Sequence, residues 1–330
     1  MGLLAAISDF LSPPPAPSRE AQAALDRIGE LVDPFLATTS GFDHHLAGPV
    51  LHALGYCEGL VAALPGPIDI DRRSFASDPL VHALFATASD IEHMLGRSQA
   101  VRDYLSEPES YASDHFYALF AARRQEKKQL GMARQGDIVH NEVPQTVLFF
   151  SSQTLVEPHP NLDSTLVALR RSAFDSLLKS FHTHIDALRQ ERDAMRNDCS
   201  TERTHLTVMR GRTPGPEFEI RTRRLVALEA RLHQVVDALA PDQLSHALAD
   251  FLLMPQVSLS LSPVSVTVDR LGIIADSAGS DQSGFDTLHF PELSGRDQRR
   301  HLVMLARIDR EEAQQAVDSV LDQQRRFLVI

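Results

Sequence analysis

Residues 161–240 read NLDSTLVALRRSAFDSLLKSFHTHIDALRQERDAMRNDCSTERTHLTVMRGRTPGPEFEIRTRRLVALEARLHQVVDALA, and the reading of this stretch decides the fold. Leu162, Leu166, Leu169, Ala173, Leu177, Phe181, Ile185 and Leu188 recur at steps of three and four. Carrying the stripe through Arg192 to Met195 gives a mean step of 3.67 residues, the spacing of a nearly straight amphipathic helix. If it runs unbroken to Arg210, such a helix is roughly 75 Å long at 1.5 Å per residue. The polar run 197–201 is where it could be interrupted. Residues 211–216 (GRTPGP) then form a turn, because glycine and proline punctuate both periodicities. Leu225, Leu228, Leu232, Val235 and Leu239 follow at a mean of 3.5, a heptad stripe. Two long amphipathic helices joined by a short turn should pack antiparallel, giving a helical hairpin. Pro241 opens a further helix to about Leu253.

Towards the N-terminus, residues 19–130 read as about four helices separated by proline and glycine. Residues 19–37 carry Leu25, Ile28, Leu31, Val32 and Phe35 at helical spacing, with Pro34 to bend or end the helix. Residues 49–64 and 79–95 read as the second and third helices, with Gly96 at the position of a C-cap. Residues 113–130 read as the fourth, closed by Gly131. Within 143–156 the run Val147 to Phe150 is too short for a helix and marks one strand. Ahead of all this, the apolar segment 1–11 has no basic region and does not fit a secretory signal, and 12–18 (SPPPAPS) reads as a stiff linker.

Towards the C-terminus the period switches to two. Val257, Leu259 and Leu261 alternate with polar residues, as do Val264, Val266 and Val268, with Pro263 at a bend or edge. Residues 285–293 and 301–308 are two more strand candidates, and Asp309 with Glu312 starts a closing helix. The predicted architecture is mainly α: a segment and linker at 1–18, a helical domain at 19–142, a strand plus the long antiparallel hairpin at 143–254, and a small α+β module at 255–330.

Composition narrows the function classes. The 330 residues are 43 % hydrophobic and 23 % charged, ordinary for a soluble globular chain. No apolar run approaches the roughly 20 residues of a membrane span. The net charge of −12 argues against nucleic acid as a partner. Residues 161–255 hold 13 basic and 13 acidic residues, whereas 1–160 hold 11 and 20, so the deficit lies mostly in the N-terminal part. Two cysteines, Cys57 and Cys199, exclude a disulfide scaffold. The cytoplasm is the expected location.

Several short patterns invite chemistry. Gly55-Tyr56-Cys57-Glu58-Gly59 fits the cysteine form of a nucleophile elbow, but it lies in a helical context and not between a strand and a helix. His44, His45, His52, His82, His93 and His115 lie near Asp43, Glu58, Asp90, Glu92 and Asp114, without the Glu-x-x-His spacing of a metal-holding bundle. Residues 43–46 (DHHL) resemble the opening of a hemerythrin-like bundle, and that family's later histidine motifs are absent at its spacing. His182 and His184 stand two apart on the long helix and point to different faces. Arg123, Arg124, Lys127 and Lys128 would form a cationic ridge on a helix, suited to a solvated face or an acidic partner. Asp69-Ile70-Asp71 stands without a nucleotide-binding strand pattern. The Val264-to-Ile274 strand-turn-strand, with Asp269 and Gly272, resembles the D-x-S-x-x-G corner of PilZ domains. The arginine motif with which that family grips a cyclic dinucleotide is missing upstream, so the ligand is not carried over.

No P-loop, G-x-G-x-x-G or G-x-S-x-G occurs, and no cofactor, catalytic residue or metal ligand set is assigned. The expected function is therefore a non-enzymatic interaction or scaffold role. A protein partner, or a second copy meeting the 225–239 heptads, would engage the hairpin. The alternative is a helical metal-binding enzyme or sensor using the N-terminal His/Asp set.

Overall fold

The computed structural model describes residues 19–39, 41–135, 138–210, 215–275, 284–296 and 299–328, with side chains omitted at 133–141 and 323–328. The chain divides into two compact units, each assembled from two stretches: residues 1–55 with 174–255, and residues 56–173 with 256–330.

The first unit is helical. It contains α1 (Arg19–Leu31), the start of α2 (Phe42–Ala62), most of a 48-residue helix over Leu162–Met209 that is α7 in chain order, α8 (Pro216–Ala238) and α9 (Pro241–Leu253). Helix α1 ends before Pro34, whose preceding residue is biased away from helical angles. Its apolar face (Leu25, Ile28) is buried, as are Leu46 and Val50 of α2, Leu177, Leu178, Phe181 and Ile185 of α7, and Leu248 and Leu252 of α9. Polar ties fix the α1 region on α7. Arg27 donates to both oxygens of Asp175 at 3.0 and 2.7 Å, His182 Nδ1 donates to the Val32 carbonyl at 2.8 Å, and Arg189 pairs with Asp33. The polar run 197–201 does not break α7, whose span is about 72 Å.

The second unit overturns the mainly-α expectation, because it is built on a six-stranded sheet. Its strands are β1 (Ile68–Asp69), β2 (His115–Gln135), β3 (Ile138–His159), β4 (Leu259–Asp269), β5 (Phe285–Gly295) and β6 (Arg300–Asp309), and the order is β3-β2-β6-β5-β4, each pair antiparallel. Strand β1 pairs parallel with β6. The expected helix at 113–130 is β2, and the expected single strand at 143–156 is part of the 22-residue β3. The residues of β2 alternate: Phe116, Ala118, Phe120 and Ala122 are all fully buried on one face. Alanine favours a helix in isolation, but pairing with β3 on one side and with β6 across nine positions on the other decides the conformation here. The small and modest module foreseen at 255–330 is thus the other half of this sheet, not a separate fold.

Three extra residues in β3 bend the β2–β3 ribbon. At each, three residues of β3 oppose two of β2, and Glu142, Ser152 and Glu157 take φ of 61°, 55° and 52°. Beyond Arg123 the ribbon has lost β6 and carries exposed Lys127 and Lys128, charges that discourage edge-to-edge pairing.

The sheet's outer strands are joined by residues 272–274. Leu148 N–H donates to the Gly272 carbonyl and Ile274 N–H to the Thr146 carbonyl, both at 2.8 Å, while Ile274 bridges to Val268 of β4. Inside the curved sheet lie Phe150, Leu155, Leu288, Phe290, Leu302 and Met304. They pack with residues of α4 (Pro79–Leu84), α5 (Ala88–Arg97), α6 (Gln99–Ser106) and α10 (Arg310–Leu328). Leu305 faces the other way, onto Val61 and Leu169. Strand β6 is therefore covered on both faces, which explains its nearly continuous apolar run. The expected third helix is two, α4 and α5, because Thr87 and Asp90 form a capping box that restarts the chain. Gly96 is no C-cap. It sits inside α5, where a Cβ would lie 2.5 Å from the Ala316 carbonyl of α10. Short α3 (Arg72–Ser77) completes the set.

Candidate functional site

The two rods α7 and α8 are tied by ion pairs that run in opposite directions along them. Arg231 meets Glu191 at 3.1 Å, Arg203 meets Glu229 at 2.7 Å, and Arg221 and Arg224 meet Glu202 at 3.2 and 3.4 Å. The heptad steps of α8 continue on α7 as Leu188, Arg192, Met195, Cys199, Glu202 and Leu206. Cys199, Leu206 and Val235 are buried, and Leu225, Leu228 and Leu232 are half-buried. Glu202 is only 6 % exposed, and each of its carboxylate oxygens is taken by one arginine of α8. A carboxylate placed so would be costly without both partners. The outer face is different. Val208, Ile220 and Val226 are 71, 64 and 60 % exposed, with no polar role of their own.

The residues singled out by sequence are dispersed. Cys57 lies inside α2, fully buried, and burial pushes its thiol up to about 12, the opposite of an activated nucleophile. His52 and His93 are exposed on α2 and α5. His82 packs on Phe75 with ring centroids 4.8 Å apart, and His115 stands 3.7 Å from Asp309. His45 meets a histidine that the sequence reading did not consider, His246 of α9, with ring centroids 4.4 Å apart. Among the described residues no group of three or more His, Cys, Asp and Glu is placed to hold a metal ion. Asp69 receives two hydrogen bonds from Arg307, at 2.6 and 2.8 Å, which hold its carboxyl below the usual range, and Asp71 caps α3 through Ser74 N–H. Both acids of the D-x-D triplet thus have structural partners.

The cationic ridge does not exist as a helix face. On β2 its residues alternate sides, and Arg124 turns to Glu126 and the buried Glu292. The corner at 269–272 is a rigid turn: Asp269 Oδ1 accepts from Leu271 and Ile273 N–H at 2.9 and 2.8 Å. It borders a cleft of about 690 Å³ with Phe85, Leu148 and Phe150 below and His82, Arg270 and Asp286 around it. A second cleft of about 590 Å³ lies against α5 and α10, lined by Arg72, Glu92, His93, Arg97 and Glu312. Burial, with Asp71 and Asp309 nearby, raises the Glu312 carboxyl. Neither cleft is lined by Cys57 or by α7 and α8.

Comparison with family models, with curated proteins and with solved structures finds no match for this chain. Among the described residues no helix is long and apolar enough to cross a membrane.

Proposed function

We propose that this chain is a non-enzymatic interaction protein whose contact element is the pair of rods α7 and α8, working in the cytoplasm on a protein partner and not on nucleic acid. The observation that supports this most is the exposure of Val208, Ile220 and Val226 on rods whose charges are already paired with each other. A partner that covers them would remove apolar side-chain surface from water. The heptad leucines at 225–239 sit half-buried along the seam. The outer face, and not that stripe, is then the surface on offer. The neutral balance of residues 161–255 fits the same reading, since a partner there meets no net repulsion.

The test is a full chain carrying Val208→Ser, Ile220→Ser and Val226→Ser, compared with wild type for capture of proteins from the native host and of a differently tagged second copy. The changes are exposed, so the thermal melt should be unchanged within about 0.5 kcal/mol. Loss of the captured species is expected. Undiminished capture would reject the hairpin as the contact element.

A further inference from the structure

We infer that the outer part of the β2–β3 ribbon docks on an anionic membrane surface, with Leu130 and Met132 entering the lipid and Lys127 and Lys128 held at its headgroups. Outward of Lys128 and Thr146 the two strands pair only with each other among the described residues. Leu130 and Met132 are there 68 and 71 % exposed. Strand alternation puts both on one face of β2 with Lys128, and Pro144, the cross-strand neighbour of Leu130, is exposed beside them. Only three of the chain's 32 basic residues are lysine, and Lys127 and Lys128 are two of the three. Arg124 is paired with Glu126 and Glu292, whereas these two lysines are exposed and have no carboxylate partner among the described residues. Residues 123–146 hold five basic and three acidic residues, a positive surplus in a chain of net charge −12.

Charge and apolar exposure together select the occupant. A nucleic acid offers phosphate to the lysines but no hydrocarbon to Leu130 and Met132. An anionic bilayer offers both, with headgroups that attract ammonium groups and an acyl boundary about 5–10 Å beneath them. The lysine stems can lie along that boundary while their charges stay in the headgroup layer. The ribbon is shaped in advance, because Gln145 lies over Gly131 and donates to the Met132 carbonyl at 3.0 Å. Two strands without a third are marginal in water, so a surface that covers one face also steadies them. Beyond Lys128, β2 continues to Gln135, a reach of roughly 20 Å. That exceeds the Debye length of about 8 Å at physiological ionic strength, so the acidity of the chain elsewhere is screened from a surface met by this part of the ribbon. This inference does not depend on the rods α7 and α8.

The experiment is co-sedimentation of the full chain with vesicles of phosphatidylcholine mixed with phosphatidylglycerol, and with vesicles of phosphatidylcholine alone. It is repeated on Leu130→Ser with Met132→Ser, on Lys127→Gln with Lys128→Gln, and on the control Ile220→Ser, which removes an exposed apolar residue of α8. Wild type and control are expected to bind the mixed vesicles alike, to leave them in high salt, and to bind phosphatidylcholine at least an order of magnitude more weakly. One lysine near an anionic surface contributes a factor of about five, so the lysine pair should cost about twentyfold in binding. The Leu130 and Met132 pair should cost at least an order of magnitude. All four positions are exposed, so the variants should melt with wild type. Absence of binding to the mixed vesicles would overturn the inference, as would equal binding to both vesicle types or binding that survives either double substitution. Ribbon-dependent capture of an acidic protein without any vesicle binding would assign the ribbon to that partner and overturn it as well.

Discussion

Single residues carry opposite lessons about charge and burial. Cys57 looks reactive as letters between two glycines, yet its sulfur is fully enclosed and its proton is held up to about 12 from an ordinary 9.0. The sign of the consequence follows from linkage. Between those values the folded chain keeps a proton that the unfolded chain has released, so the stabilisation is complete below pH 9 and is lost as pH rises towards 12. The loss approaches about 1.4 kcal/mol per pH unit in that window. Urea unfolding at increasing alkaline pH should therefore show a steeper stability decline in wild type than in Cys57→Ala, where the burial-raised Tyr56 and Tyr104 still contribute. A thiol reagent at pH 8 should leave Cys57 unlabelled in the folded chain. Glu202 is the converse case, a carboxylate nearly as enclosed but with an arginine on each oxygen. Nothing in the letters marks it. Only its heptad position, occupied by apolar residues on either side, could have drawn attention to it.

At the level of elements, what could be read followed from the range of the forces involved. Helices α7, α8 and α9 declare themselves through apolar spacing within a single stretch, and the Asp309 cap of α10 through one local hydrogen bond to Glu312 N–H at 2.9 Å. Strand β2 does not: its ladder with β3 is local, but its other partner, β6, lies almost 200 residues further on. Its alanines spoke for a helix, while the Phe116, Ala118, Phe120, Ala122 alternation was the signal that would have corrected it. The turn at 269–272 was visible, but its task of joining β4 to β3 was not. Gly272 makes that joint possible. Its φ is +78°, and a Cβ there would stand 2.6 Å from the Leu148 carbonyl. Gly272→Ala should cost about 1–3 kcal/mol in urea unfolding, from the left-handed backbone together with the clash. A cost no larger than that of an exposed loop substitution would mean that residues 272–274 do not close the sheet.

For the molecule as a whole, each unit is built from two stretches that the sequence separates, so the order of the letters hides both cores. Helices α2 and α7 contribute residues to each unit, and only a pattern of long-range contacts reveals which part of each belongs where. The imidazoles show the same limit. His45 was visible among six N-terminal histidines, but its neighbour His246 lies about 200 residues away, and the ring contact is the product of the fold. The charges along α7 and α8 could be read as a neutral balance, whereas their pairing into Arg203–Glu229 and Arg231–Glu191 could not. The function proposed for this chain rests on those two rods lying back to back. Hydrogen–deuterium exchange over 189–209 and 216–238 in the full chain tests this most directly. Slow exchange along both stretches, lost together when Glu202→Ala leaves Arg221 and Arg224 without their carboxylate, is the outcome expected; exchange at the rate of an unstructured peptide in wild type would contradict it.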